Sequence, residues 1–140
     1  MHSVFVDTDV ILDIFVRREP HHRTALRFFS FLKKRKIQGF TSPIVVANTY
    51  YLLAKIRNKR YAHEKVRQLR QLIRIAAIDE EIIDAALKTP YKDFEDSIQY
   101  NCAIGNDLKF LITRNVADYP KDKLNILLPD EYMQMTAIEG

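Results

Sequence analysis

The chain opens on a short apolar run, Ser3-Val4-Phe5-Val6, that ends in Asp7-Thr8-Asp9 and passes directly into the helical pattern Val10-Ile11-Leu12-Asp13. A strand that feeds a helix in this way puts its acids at the mouth of a sheet. In open α/β folds the carboxyl ends of strands and the adjoining helix N-termini form the ligand crevice, where such acids can meet a metal or a phosphate. The alternative for this segment alone is that Asp7 or Asp9 simply caps the helix, so the rest of the chain has to decide.

The same alternation runs through the sequence. Val4 to Val6 reads as a buried strand and the helix after it reaches about Phe15, with Arg17 to Pro20 as a break. A second helix runs from Pro20 or His21 to about Lys34, its apolar positions Ala25, Phe28, Phe29 and Leu32 spaced by three and four. Ile37 to Thr41 is the next strand. Ser42-Pro43 supplies an N-cap and a first-turn proline for a helix to about Ile56, and another helix spans about Ala62 to Leu72. Ile75 to Ile78 reads as a strand, Asp79 as the cap of a helix over Glu80 to Leu87, and Pro90 as its stop. A helix from near Asp93 to Ile104, a Gly105-Asn106 turn, strands at Leu108 to Thr113 and Asn125 to Leu128, and a short helix from Pro129 complete the chain. Strands separated by helices predict an α/β fold, a three-layer α/β/α arrangement around a parallel sheet of four or five strands. The first and penultimate strands should then bring Asp7 and Asn115 to one edge of that sheet.

Length and chemistry narrow the class. A chain of 140 residues with 47% hydrophobic content can bury one core, and no repeat or linker divides it. The formal charge of +4 leans towards anionic partners. The single cysteine, Cys102, excludes an internal disulfide and fits a reducing compartment, and its apolar surroundings read as helix packing. No apolar run approaches the roughly 18 residues of a membrane span, and no signal-peptide pattern precedes the first strand. A cytoplasmic protein with no membrane association is expected.

Two further acidic segments match the first. In Tyr91-Lys92-Asp93-Phe94-Glu95-Asp96-Ser97, Asp93 suits the N-cap, and Asp96 can share its helix face and point into the crevice. In Phe110-Leu111-Ile112-Thr113-Arg114-Asn115-Val116-Ala117-Asp118, an apolar strand again exits into polar groups. Oxygen ligands of this sort suit a hard divalent cation, and magnesium keeps several waters beside a few carboxylates. Basic residues gather at Lys33-Lys34-Arg35-Lys36, at Lys55, Arg57, Lys59 and Arg60, and along Arg67, Arg70 and Arg74, as phosphate contacts or as a solvated surface. Arg114 adjoins the acids and is the residue expected to position a phosphate. His2, His21, His22 and His63 have no acid partner in a motif and read as surface or packing groups. Tyr50, Tyr51, Tyr61 and Tyr100 follow no base-stacking pattern, and read as packing.

Four stretches, FVDTDVILD, SPIVVANTYYLL, DFEDSIQYNCAI and LITRNVADY, occur in this order and cover nearly the whole chain. Together they make it resemble the PIN-domain family, whose members, the VapC-like ribonuclease toxins among them, are mostly metal-dependent nucleases. The resemblance implies one PIN-like domain over residues 1–140. Asp7 matches the family's first-strand aspartate, Asp9 stands where Asn or Asp commonly follows, and Asp96 matches the third acid. The fourth falls in the strand-exit segment, with Asn115 after Thr-Arg and Asp118 nearby. One departure is plain: the family glutamate on the Ser42-Pro43 helix is matched by Asn48, which brings no charge.

The resemblance implies hydrolysis of RNA phosphodiester bonds with Mg2+ or Mn2+ held mainly by Asp7 and Asp96. Asp118 or Asp9 would bind a metal water or a second ion, making Asp7, Asp96 and Asp118 the catalytic acids. Thr8 and Thr113 can donate to an acid or phosphate, with Asn48, Asp93 and Asn115 as further polar groups. A toxin of this kind pairs with an antitoxin protein, and a homodimer through exposed aromatic residues is the expected assembly. Two other readings compete. One is a degenerate PIN domain that binds nucleic acid or protein without cleaving. The other is a haloacid-dehalogenase-like phosphohydrolase, in which Asp7-Thr8-Asp9 supplies nucleophile and acid and Thr41 a second motif.

Overall fold

A computed structural model describes residues 3–89 and 93–139. Pro90, Tyr91, Lys92 and His2, which carried expectations above, lie outside the described residues. Five parallel strands, β1 (Ser3–Val6), β2 (Gln38–Thr41), β3 (Arg74–Ile75), β4 (Phe110–Ile112) and β5 (Asn125–Leu127), form one sheet in the order β3-β2-β1-β4-β5. Seven helices flank it: α1 (Thr8–Phe15), α2 (His21–Arg35), α3 (Pro43–Ile56), α4 (Lys59–Leu72), α5 (Glu80–Lys88), α6 (Phe94–Gly105) and α7 (Pro129–Glu139). This is the expected three-layer α/β/α arrangement.

The strand order fixes where a site can form. From central β1 the chain winds outward through β2 and β3, then crosses back to place β4 on the other side of β1. The connections therefore diverge at β1 and β4, and the crevice at the carboxyl ends of those two strands is the switch point of the sheet. Val4, Phe5, Val6, Leu111 and Ile112 are fully buried. The ladder continues one step further, with the Asp7 N–H donating to the Ile112 carbonyl at 2.9 Å. Asp7 is thus held by sheet geometry as the first residue past a rigid strand.

Helix starts follow local chemistry. Ser42 caps α3 through its hydroxyl, which accepts from the Val45 N–H at 3.1 Å, with Pro43 in the first turn. Asp93 accepts from the Asp96 N–H at 3.2 Å and so starts α6. α6 lies tight against α5. Ser97 donates to the Ala86 carbonyl at 2.9 Å, and a Cβ added at Gly105 would come within 2.9 Å of Ile82 Cγ1, so a larger residue there would force the Ile82 side chain to shift.

Some boundaries differ from expectation. α4 begins at Lys59 rather than Ala62 because the Asn58 side chain accepts from the Tyr61 N–H at 2.8 Å, adding a polar first turn ahead of the apolar face. The strand expected over Ile75 to Ile78 is only Arg74–Ile75, an edge strand paired to β2 alone, after which Ala76 donates its N–H to Thr41. A 3-10 turn over Val116–Asp118 follows the exit of β4. Cys102 is buried, and burial pushes its thiol up to about 12, as its apolar surroundings predict. Among the described residues, no helix is long and apolar enough to cross a membrane.

Candidate metal centre

The carboxyl ends of β1 and β4 and the first turn of α6 bring the predicted acids together. Asp7, only 8% exposed, takes the Thr8 N–H on Oδ1 at 2.8 Å. Its Oδ2 faces two hydroxyls, Thr113 at 3.0 Å and Tyr119 at 2.9 Å. The Tyr119 hydroxyl is also 3.3 Å from Asp96 Oδ1. The strand-end aspartate and the helix-start aspartate are therefore neighbours across one phenol oxygen.

Asp9 faces the same crevice with a different set of partners. Its Oδ1 takes the Val10 N–H at 2.7 Å, while Oδ2 takes the Arg114 N–H at 2.9 Å and the Asn115 side-chain amide at 3.0 Å. Thr113 lies 3.3 Å from that same oxygen. Asp9 thus ties the strand-exit loop to α1. Asn115 comes to the edge where Asp7 sits, as the strand order requires.

A groove of about 570 Å³ is lined by Asp7, Thr8, Asp9, Asn48, Glu95, Asp96 and Asn115, with Leu12, Tyr51, Leu52 and Lys55 also on its walls. A second cavity, about 680 Å³, adjoins it at Asp96 and is lined by Asp93, Asp118 and Tyr119 among others. Asp118 is exposed in the 3-10 turn and lies on this second side. Asp7, Asp96, Asp118 and Asp9 consequently occupy both sides of the Asp96-Tyr119 ridge rather than one point. Among the described residues, no three His, Cys, Asp or Glu side chains converge closely enough to hold an ion between them.

The electrostatics nonetheless favour a cation. Burial raises Asp7 above the usual carboxylate range, against the hydrogen bonds from Thr8, Tyr119 and Thr113, and the Asp118 charge adds to the rise. Burial, then the charge of Asp7, raises Asp9 to about 6. Asp96 is raised to about 6 by burial, then by Asp93 and Asp7. Carboxylates that repel one another in a partly dry groove are ligands that a hard divalent cation relieves. The donor set fits such an ion.

Two expectations need correction. Arg114 does not direct its guanidinium into the groove: Nε donates to Asp13 Oδ2 at 2.7 Å and Nη2 to Asp13 Oδ1 at 3.2 Å. Asp13 is 2% exposed and a buried carboxylate needs such a partner, so the side chain turns away from the position expected to contact phosphate. Thr41 is fully buried and donates to the Val6 carbonyl at 2.9 Å, so it cannot serve as the second motif of a haloacid-dehalogenase-like site. Asn48 lines the same groove as Asp7, as one of its further polar groups, and its amide donates to Glu95 Oε2 at 3.1 Å.

Tyr119, Asp13 and Glu95 were not singled out by sequence reasoning. Tyr119 ends the 3-10 turn, and its distance in sequence from Asp7 and Asp96 hides the contact. Asp13 carried a signal, an acid on the apolar face of α1, where a buried charge calls for a partner. Among the described residues histidine stays outside the acidic groove: His22 Nδ1 pairs with the Asp13 carbonyl at 2.8 Å, and His63 packs edge-on against Tyr50.

Comparison with known proteins agrees with this architecture. The sequence profile described as the PIN domain matches residues 3–117. Ribonuclease VapC1 of Aquifex aeolicus (strain VF5) is 26% identical over 137 residues, covering 94% of each chain. Among solved structures, VapBC2 from Rickettsia felis, bound to a DNA fragment from their promoter, aligns with a TM-score of 0.71 at 16% identity, over 89% of this chain and 96% of that one. The Mycobacterium tuberculosis toxin VapC20, which cleaves the sarcin-ricin loop, aligns with a TM-score of 0.60 at 19% identity, over 85% and 91% of the two chains.

Proposed function

This chain belongs to the PIN-domain family, and from that premise we propose that it hydrolyses RNA phosphodiester bonds with a divalent cation, Mg2+ or Mn2+, as the toxin of a toxin–antitoxin pair. The observation that carries the reading is the meeting of Asp7 and Asp96 across the Tyr119 hydroxyl in a groove at the sheet's switch point. The 26% identical relative along almost the whole chain is named a ribonuclease, which supports the reaction class.

Asp7 and Asp96 would hold the ion, and Asp118, from the adjoining cavity, would accept a hydrogen bond from a water of the site. A bound divalent cation lowers the pKa of a water and screens charge on the scissile phosphate. Thr113 keeps Asp7 oriented, since its hydroxyl donates to that carboxylate while accepting the Asn115 N–H at 3.0 Å. Asp9 holds the strand-exit loop against α1, and Thr8 supplies the amide that fixes Asp7 Oδ1. Lys55 and the aromatic face of Tyr51, on the groove wall, are placed to meet the RNA backbone and an unpaired base.

The antitoxin protein is the partner that would cover this groove, and a homodimer would bury Ile56, which α3 leaves exposed outside it. The cytoplasm, where RNA and a reducing environment coincide, is the setting. A second reading, a PIN domain that binds without cleaving, is favoured by the uncharged Asn48.

Incubation with varied RNAs in Mn2+ or Mg2+ tests the proposal. Cleavage should appear with metal, stop with chelator, and fall at least about a hundredfold in Asp7→Asn and Asp96→Asn, a scale of about 2.7 kcal/mol in transition-state stabilisation. Undiminished metal-dependent cleavage by a folded Asp7→Asn/Asp96→Asn double variant would reject the site. Binding of RNA without cleavage under all conditions would establish the second reading.

A further inference from the structure

Glu95 is the one acid of the α6 first turn on the groove beside Asp7 and Asp9 that the mechanism above leaves unused. Asp93 and Asp118 line the adjoining cavity, whereas Glu95 lines the groove that also contains Asp7, Asp9 and Asp96. Its carboxylate is held there from another element, since the Asn48 amide, projecting from α3, donates to Glu95 Oε2 at 3.1 Å. The capped start of α3 sets the position of Asn48, and the Asp93 cap with the Ser97 bond to Ala86 sets that of α6.

A carboxylate at position 48 would lie against Glu95 and repel it. An amide there does the opposite. It donates to the carboxylate, leaves the negative charge in place and limits the side chain's freedom, as outer partners of metal-binding carboxylates do. Position 48 thus gives up its own charge and directs a charge supplied by position 95.

We propose that Glu95 supplies the groove's α3-side carboxylate towards the divalent cation, with Asn48 as the positioning amide. The cation would then be held by Asp7 and Asp96 and attracted by the Glu95 charge on the same groove, which keeps its negative charge despite Asn48. The inference rests on reading the groove as a divalent-cation site, and the experiment separates the two.

Mn2+ binding to the intact chain, followed by the electron paramagnetic resonance signal of free ion, reads the site without turnover. Glu95→Gln should weaken binding about tenfold, the scale of one lost carboxylate contact in an open groove. Asn48→Ala should weaken it roughly threefold, the scale of one exposed hydrogen bond to a charge, and should add nothing in the Glu95→Gln background. Asn48→Glu combined with Glu95→Gln should return binding to within about threefold of wild type, because the charge is restored from the facing helix. Circular dichroism on each variant checks that α6 is intact. Wild type that binds Mn2+ while Glu95→Gln stays within about twofold of it, or a combined variant with no recovery, overturns the role of Glu95 and leaves the cation site standing. Wild type that binds no Mn2+ overturns both.

Discussion

The Tyr119 hydroxyl lies 2.9 Å from Asp7 Oδ2 in the interior, and the same oxygen is 3.3 Å from Asp96 Oδ1. A phenol has one proton to donate. The shorter contact gives it to Asp7, so the Asp96 contact is a full hydrogen bond only when Asp96 carries a proton. Burial and the charges of Asp7 and Asp96 raise the Tyr119 phenol well above its ordinary value, which keeps that proton in place.

Tyr119→Phe should therefore leave a buried carboxylate short of a donor. The expected cost is about 1–3 kcal/mol in metal-free protein, read by urea denaturation. Saturating Mn2+ should shrink that difference, since the cation takes over stabilisation of the Asp7 charge. Equal losses with and without Mn2+ would show that Tyr119 acts on packing alone.

The raised carboxyls also set a pH dependence. Burial first, then neighbouring negative charge, pushes Asp9 and Asp96 up to about 6 in the folded chain from the ordinary 3.8, so the native state holds more protons than the unfolded state between those values. Stability from these groups is full below about 3.8 and is lost as pH rises through about 6. Other groups titrate as well, so the measurement is the difference between wild type and Asp9→Asn/Asp96→Asn. Metal-free wild type should lose Tm relative to that variant from pH 4.5 to 7. Protons compete with metal in the same window, and Mn2+ affinity should fall about tenfold from pH 7 to 5 for each such carboxyl that must be deprotonated.

The fold was legible because short apolar strands and capped helices alternate with little ambiguity: Ser42-Pro43 and Asp79 start helices where expected. The shortest strand was misjudged because Ala76, Ala77 and Ile78 continue the apolar pattern after the ladder has ended at Ile75. At the site, the juxtaposition of Asp7 with the β4 exit follows from strand order and is visible in the acids themselves. The destination of Arg114 does not. Its backbone N–H serves Asp9 while its guanidinium serves Asp13, and only the buried position of Asp13 on α1 decides between groove and core.

That choice is itself testable. Removing the guanidinium in Arg114→Leu leaves Asp13 buried, with Arg18, 4.0 Å away and largely exposed, as the remaining ion-pair partner among the described residues. The expected cost is about 3 kcal/mol, lost in the unfolding free energy. Asp13→Leu/Arg114→Leu, which removes both charges, should recover part of it. A variant Arg114→Leu of wild-type stability but weaker RNA binding would return Arg114 to the role of phosphate contact.

Asp118→Asn should have a graded and pH-dependent effect. Asp118 is exposed, sits in the cavity beyond the Asp96-Tyr119 ridge, and raises the pKa of both Asp7 and Asp96 through its charge. Substitution removes one negative charge that attracts the cation, yet makes Asp7 and Asp96 easier to deprotonate. At pH 8 Asp96, raised only to about 6, is ionised in either form, so for it only the first effect remains, and Mn2+ binding should fall severalfold, less than in Asp96→Asn. Near pH 5.5 the second effect opposes the first, and the two proteins should bind Mn2+ within about twofold of each other. Titrations at the two pH values provide the comparison. A loss as large as that of Asp96→Asn at both would instead make Asp118 a direct ligand, with the 3-10 turn closing on the ridge when the ion binds.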